Sequence, residues 1–381
     1  MMTNALILSG GGARAAYQVG VLNAVNDILP PELNNPFPII CGTSAGAINA
    51  LALAAHSGSF DEAAIDLNKI WKNISTEKIY KSGWYEVNIG VLRLVGSLFN
   101  QGVGRKDRPL SLLDNSPLRE FLTQIIDFKN IEKEIDLGRL EAICVSAMGY
   151  TSGESVSFYQ GKAGLQPWRR HRRVGQEARL TVDHLLASSA IPTIFPSVKI
   201  DKQYFGDGAM RQLAPISPAL HLGADAVFVI GVSGNRNPAH WGKKRISPKH
   251  SPSMAQIIGH MFNSAFIDSL EGDIEHLERV NKLLSLIPEE VVDDGGTRLR
   301  PVKTLVISPS RELDKIAGRK VRYLPKSMRF YMGATGATAR GGGSATASYL
   351  LFEKEFCDEL MDLGYQDAMW EKESIQEFFN I

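Results

Sequence analysis

Ser44 lies at the centre of the pentapeptide Gly42-Thr43-Ser44-Ala45-Gly46. A serine hydroxyl attacks a carbonyl carbon only when a base takes its proton and donors hold the resulting oxyanion. Two other segments carry groups suited to those tasks. Asp207, followed by Gly208 and Ala209, offers a carboxylate at the end of a short strand candidate. Gly10-Gly11-Gly12-Ala13-Arg14 offers several backbone amides aimed at one point, with Arg14 to fix the loop or stabilise negative charge near it. Each segment also has a plain reading. The pentapeptide alone is a glycine-rich turn, and Asp207-Gly208 alone is an Asp-Gly turn. Gly10-x-Gly12-x-x-Ala15 satisfies the Gly/Ala form of the dinucleotide fingerprint, so a phosphate loop competes with an oxyanion hole there.

Histidine is the usual partner of a nucleophilic serine. The chain has eight histidines, and none sits in a recognisable strand-end motif. His184 and His221 fall on helix candidates, while His240 and His250 fall in a basic, proline-containing loop. Nothing local supports a Ser-His-Asp triad, and Asp207 is the better base candidate.

The elements that must position these groups follow from apolar patterning. Ala5–Leu8 and Phe37–Cys41 read as buried strands, and Ala15–Leu29 and Ala47–Ala55 as helices. The first 55 residues therefore read β-α-β-α, the signature of a parallel sheet with helices on its faces. Ser44 falls between the second strand and its helix, which is the context of a nucleophile elbow. Helices are expected over Asp61–Trp71, Pro117–Ile126, Thr181–Ser188 and Ala214–Leu222. Met254–Leu286 reads as helical, and the tail Ser344–Asn380 mostly so. Strands are expected over Glu141–Met148, Ser155–Tyr159, Gln203–Gly206, Ala226–Val232 and Thr304–Ser308. Residues 75–109 look irregular, Trp168–Val174 is a short basic cluster, and Asn235–Ser253 and Asp293–Arg300 read as loops.

Composition narrows the function classes. Lys plus Arg is 42 against 41 for Asp plus Glu, so no basic balance points to nucleic acid. With 44% hydrophobic residues the chain can bury a full core. Cys41, Cys144 and Cys357 are far apart and have no metal-ligand spacing, so no disulfide framework, metal or cofactor is expected. The run Ala5–Leu8 is too short for the core of a signal peptide, and no apolar run is long enough to span a bilayer. A cytoplasmic location, with peripheral membrane contact, is the expectation.

Taken together, the three motifs resemble the patatin-like phospholipase family. Its pattern is Gly-Gly-Gly-x-Arg/Lys, then Gly-x-Ser-x-Gly, then Asp-Gly-Gly/Ala, and the three appear here in that order. Ala187-Ser188-Ser189-Ala190-Ile191-Pro192-Thr193-Ile194-Phe195-Pro196 is similar to the family segment before the aspartate, and the resemblance covers roughly residues 5 to 232. Ala15 departs from the glycine usual after the Arg/Lys; it keeps the amide and adds one methyl. The resemblance implies an α/β protein with a three-layer α/β/α patatin-like fold, a mostly parallel central sheet and helical insertions. It implies a Ser44–Asp207 dyad without histidine, residues 10–14 as oxyanion hole, and acyl esters of phospholipids or neutral lipids as substrates. On this reading residues 5–232 form the catalytic domain and residues 233–381 a mostly helical extension packed on it, with a late strand at 304–308.

Two further stretches bear on a lipid substrate. Trp84–Phe99, within 75–110, is rich in large apolar groups and reads as a lid, an acyl-chain groove or a satellite core. Arg169-Arg170-His171-Arg172-Arg173 is dense in positive charge and reads as a headgroup contact or a solvated loop. The competing functions are a nucleotide-binding protein, with Gly10–Ala15 on phosphate and Asp27 or Glu32 on ribose, and a lipid binder without turnover. The nucleotide reading leaves the serine elbow and the Asp207 turn unexplained.

Overall fold

The computed structural model describes residues 2–31, 33, 35–99, 109–233, 251, 253–265, 269–287, 300–334 and 344–381. Its centre is one sheet of strands β1 (Asn4–Leu8), β2 (Ile39–Thr43), β3 (Ala142–Gly149), β4 (Ser155–Gly161), β5 (Trp168–Arg170), β6 (Arg173–Glu177), β7 (Val198–Ile200), β8 (Gln203–Asp207), β9 (Ala226–Ile230) and β10 (Lys303–Ile307). The order is β10-β9-β1-β2-β3-β4-β6-β5, with β8 on β3 and β7 on β8. The five strands from β10 to β3 run parallel; β4 opposes β3.

Residues of β1, β2, β3 and β9 are buried on both faces, as the apolar runs in the sequence require of a covered parallel sheet. Leu6, Leu8, Ile40, Ile143 and Phe228 enter one core, beneath the helices Ala16–Ile28, Ala45–Ala54 and Lys354–Trp370. Ala5, Ile7, Cys41, Cys144 and Val229 enter the other, beneath Ser217–His221 and Ser269–Leu284. This is the expected three-layer α/β/α arrangement. Helix Lys354–Trp370 packs along helix Ala16–Ile28, and Asp367 accepts a hydrogen bond from the Tyr17 hydroxyl at 3.0 Å.

Several segments differ from the sequence reading. Residues 75–109 are not irregular where described: Thr76–Ile79 and Trp84–Phe99 are helices. In Trp84–Phe99 apolar residues occur on the solvent side too (Trp84, Tyr85, Leu92 and Val95 are exposed), which hides the helical period. The basic cluster is a hairpin, β5 and β6, turning at Arg172 with φ 54°. Met254–Leu286 divides into Met254–Asn263 and Ser269–Leu284. The tail is three helices, Ser344–Leu350, Lys354–Trp370 and Lys372–Phe379. Helices Phe128–Asp136, Leu313–Lys320 and Lys326–Ala334 had no expectation. The expected loops over 235–250 and 293–299, with His240 and His250, lie outside the described residues, as does Glu32.

Candidate functional site

Strand β3 brings the two distant motifs together. Parallel β2 occupies one edge of β3 until Thr43 pairs with Ser146. There the elbow lifts the chain off the sheet, and antiparallel β8 takes over the vacated edge, with Asp207 opposite Ala147. The carboxyl ends of β2 and β8 thus meet head-on at consecutive positions of β3. Ser44, one residue past β2, donates its hydroxyl to Asp207 Oδ2 at 2.6 Å across 163 residues of sequence. Among the described residues Asp207 is the only side chain that bonds this hydroxyl. No histidine among the described residues takes part; His184 is instead tied to Thr181 and packed on Phe158.

The turn at Ser44 is strained, with φ 56° and ψ −129°. Non-glycine residues occupy such backbone only when their surroundings impose it. Here the glycines of the pentapeptide make room: a Cβ at Gly42 would lie 2.5 Å from Ala47 Cα, and one at Gly46 2.3 Å from the Leu8 carbonyl oxygen. The Ser44 amide donates to Ser188 Oγ at 2.8 Å, and Ser188 Oγ donates to the Ser146 carbonyl at 2.6 Å, pinning the elbow to β3. Gln212 ties the same corner from the other strand, joining Thr43 Oγ1 at 2.5 Å and Ser146 Oγ at 3.1 Å. Helix Ala45–Ala54 begins directly after the nucleophile, so its positive end lies beneath Ser44.

Asp207 is fully buried, and burial raises its carboxyl to about 7, against the hydrogen bonds from Ser44 and the Ala209 amide that lower it. Ala209 donates to Oδ1 at 3.0 Å, which leaves Oδ2 for Ser44. A carboxyl poised near neutrality can take a proton and return it.

Gly10, Gly11 and Gly12 follow β1 and open a short 3-10 turn, Gly12–Ala15. Gly12 has φ +57°, and a Cβ there would meet the Tyr349 carbonyl oxygen at 2.1 Å, so the loop conformation and the neighbouring chain both require glycine. No acceptor among the described residues takes the Gly11 or Gly12 amide. Ala13 is fully buried behind the loop. Arg14 is buried and points away from Ser44 into the carboxyl-terminal half. It meets Asp314 at 2.5 Å, Ser348 Oγ at 2.7 Å and Asn263 Oδ1 at 3.2 Å, and lies 4.1 Å from the Tyr349 ring centre. These contacts suit the first of the two roles its sequence position suggests, fixing the loop.

Ser44 and Gly12 open onto a narrow apolar cavity of about 30 Å³. Its walls are Ile48, Trp71, Leu118, Leu122, Phe195 and Phe352, among others. Ser189 also faces it, and its buried hydroxyl has no hydrogen-bond partner among the described residues. None of the described lining residues comes from Trp84–Phe99. Ser188 and Ser189 have no role in the sequence reading, although they lie in the segment that carries the resemblance. Asp314 and Ser348 left no signal at all: a charge in Arg311-Glu312-Leu313-Asp314-Lys315 looks like any solvated helix start. Asp27, the ribose candidate, accepts a hydrogen bond from Tyr365 at 2.9 Å. Among the described residues no group of three or more His, Cys, Asp or Glu could hold a metal, and no helix is long and apolar enough to cross a membrane.

The family model described as patatin-like phospholipase matches residues 6–220. A cGAMP-activated phospholipase of Pseudomonas aeruginosa (strain BWHPSA011 / Pa011) is 27% identical over 218 residues, covering 57% of this chain and 55% of the relative. A cGAMP-activated phospholipase of Escherichia coli (strain TW11681) is 25% identical over 214 residues, 54% of this chain and 51% of the relative. The matches thus span about half the length of these relatives. Among solved structures, human GIVD cytosolic phospholipase A2 has a TM-score of 0.46 at 11% identity, covering 100% of this chain and 60% of that one.

Proposed function

The chain belongs to the patatin-like phospholipase family, and on that premise we propose that it is a serine acyl hydrolase that cleaves ester bonds of lipids or phospholipids. The observation that carries the proposal is the 2.6 Å hydrogen bond between Ser44 and a buried carboxyl whose proton affinity lies near neutrality. An apolar cavity beside the hydroxyl and the free amides of Gly11 and Gly12 support the same reading.

The steps follow from the positions. Asp207 Oδ2 accepts the Ser44 proton as Oγ bonds to the ester carbonyl carbon. The carbonyl oxygen takes the electron pair and is held by the Gly11 and Gly12 amides, with the positive end of helix Ala45–Ala54 below. Removing one such donor typically costs about 3 kcal/mol of barrier. The carbonyl re-forms, the ester C–O bond breaks, and Asp207 returns its proton to the leaving alkoxide. A water then gives a proton to Asp207 and attacks the acyl-serine. Collapse releases the fatty acid and returns the proton to Ser44 Oγ. The apolar cavity holds the first methylenes of the acyl chain, and the Ser189 hydroxyl is placed to meet the ester. Residues 5–232 carry these groups, while residues 233–381 hold the oxyanion loop through Arg14. Activation by cGAMP, which the names of the two bacterial relatives state for them, extends to this chain as part of the proposal.

A fluorophosphonate probe tests the central claim. It is expected to label wild-type protein at Ser44 and to leave Ser44→Ala unlabelled. Turnover of a p-nitrophenyl acyl ester should fall by about four orders of magnitude in Ser44→Ala and Asp207→Asn. Near-normal hydrolysis by folded Ser44→Ala protein would overturn the assignment.

A further inference from the structure

The basic cluster Arg169–Arg173 has no part in the chemistry above, yet the hairpin it forms walls a second cleft. This cleft lies over the sheet face opposite the acyl cavity, between the hairpin and helices Ser217–His221 and Ser269–Leu284, and has a volume of about 940 Å³. That is in the range of cavities that hold small organic ligands. It shares no described residue with the cavity at Ser44.

Its charges are unevenly matched. Arg170 and Arg173 both line it, and they pair directly across the β5–β6 ribbon. Like charges at opposed positions destabilise a ribbon. Among the described residues neither guanidinium has an ion pair: Arg173 feels the Asp273 carboxyl only through space, and Arg170 donates to the Arg169 carbonyl at 3.1 Å. Arg169, by contrast, is paired with Glu154 at 2.6 Å and turns its charge elsewhere. Arg300 also lines the cleft, held by the Ala224 carbonyl and Asp225. Asp273 is the one acidic residue in the described lining, and it accepts the Ile216 amide at 2.8 Å. His221 and His276 add two ring nitrogen donors or acceptors.

The rest of the cleft suits the remainder of a ligand. His221 lies flat on Trp168, ring centres 4.8 Å apart, and Trp168 lies on Tyr159 at 5.2 Å. Leu220, Leu277 and Val302 give apolar walls beside this stack. A guanidinium fork matches phosphate oxygens in pairs, and two arginines without an ion pair, with Arg300 beside them in the lining, suit a phosphate.

We propose that this cleft binds a phosphate ester, its phosphate held between Arg170, Arg173 and Arg300 and its organic part against His221 and the apolar wall. Two sources present that chemistry: a soluble nucleotide, or the headgroup of an anionic lipid. The residues Gly208–Gln212 run from Asp207 to the cleft wall at Leu213 and Ala214, so the ligand sits one short segment from the dyad.

The test measures binding, not turnover, so it stands or falls separately from the hydrolase reading. Full-length protein is titrated with cGAMP, ATP and inorganic phosphate by calorimetry and thermal shift, and sedimented with phosphatidylcholine vesicles with and without phosphatidate. Two variants accompany it: Arg170→Gln/Arg173→Gln, which removes charge, and Gly272→Trp, which fills the cleft from a helix position where a Cβ meets nothing within 4 Å. Ester turnover without ligand should stay within about twofold of wild type in both. Binding of a soluble phosphate compound that weakens about tenfold or more in both variants establishes a nucleotide-type site. Phosphatidate-dependent sedimentation lost in both variants, without soluble binding, establishes a headgroup site. The proposal is overturned if nothing binds, or if both folded variants bind like wild type.

Discussion

At the scale of single residues, the unusual group is Asp207. Its carboxyl is fully buried with no cation beside it among the described residues, and burial drives its affinity for a proton up to about pH 7. The sign of the consequence differs for activity and for stability. As a base Asp207 must be ionised, so kcat/KM is expected to rise with pH through about 7 and level off above it. For folding, the native state holds this proton more tightly than the unfolded chain. The stability it contributes is full below about pH 4 and is lost as pH rises through about 7. Asp207→Asn removes the buried charge. It should therefore abolish the rising limb of the rate profile while raising the melting temperature at pH 8 by on the order of 2 °C. A pH–rate profile and melting curves at pH 6 and 8 read both effects; a variant that melts lower at pH 8 would contradict the burial account. The turns at Ser44 and Asp207 were legible in the sequence because small neighbours mark them. Ser188, which accepts the Ser44 amide, was not, because one hydroxyl in a small-residue run has no local signature.

At the scale of elements, the first four are legible because each is locally consistent: short apolar runs for β1 and β2, helical spacing after each, and glycine between. The hairpin β5–β6 was not, because arginines and a tryptophan carry no alternation and pairing decides the structure. Helix Trp84–Phe99 was hidden by its exposed apolar side chains. The brace on the glycine loop was also invisible, since Arg14 and Asp314 are 300 residues apart. That brace makes a specific prediction. Arg14 is nearly inaccessible while Asp314 is about one-third exposed, so removing the aspartate leaves a buried guanidinium with only neutral acceptors. Asp314→Asn should lower kcat about tenfold with KM little changed, because the loop is misplaced while the apolar cavity is intact. Rapid fluorophosphonate labelling at wild-type rate would show that the loop does not depend on the pair. Restoration by Asp314→Glu, with its longer reach to the same guanidinium, would mark a positioning role.

At the scale of the whole molecule, described segments after residue 232 pack on the segments before it. β10 extends the sheet beyond β9, and helix Lys354–Trp370 lies on helix Ala16–Ile28. The outer surface is less complete. Trp84, Tyr85, Leu92 and Val95 are exposed on one helix, and Phe330, 60% exposed, lies 5.5 Å from Trp84. Such a patch is suited to the interfacial zone of a lipid aggregate. Trp84→Ser/Leu92→Ser should weaken sedimentation with phosphatidylcholine vesicles about tenfold while leaving hydrolysis of a soluble ester unchanged; equal sedimentation would remove that surface from the account. The meeting of β2 and β8 on β3 bears on how such a protein can be controlled. Because nucleophile and base are anchored to neighbouring rungs of an interior strand, their backbones cannot part without tearing open the middle of the sheet. Control of such a site is therefore expected to act on side chains and on what reaches them rather than on the strands.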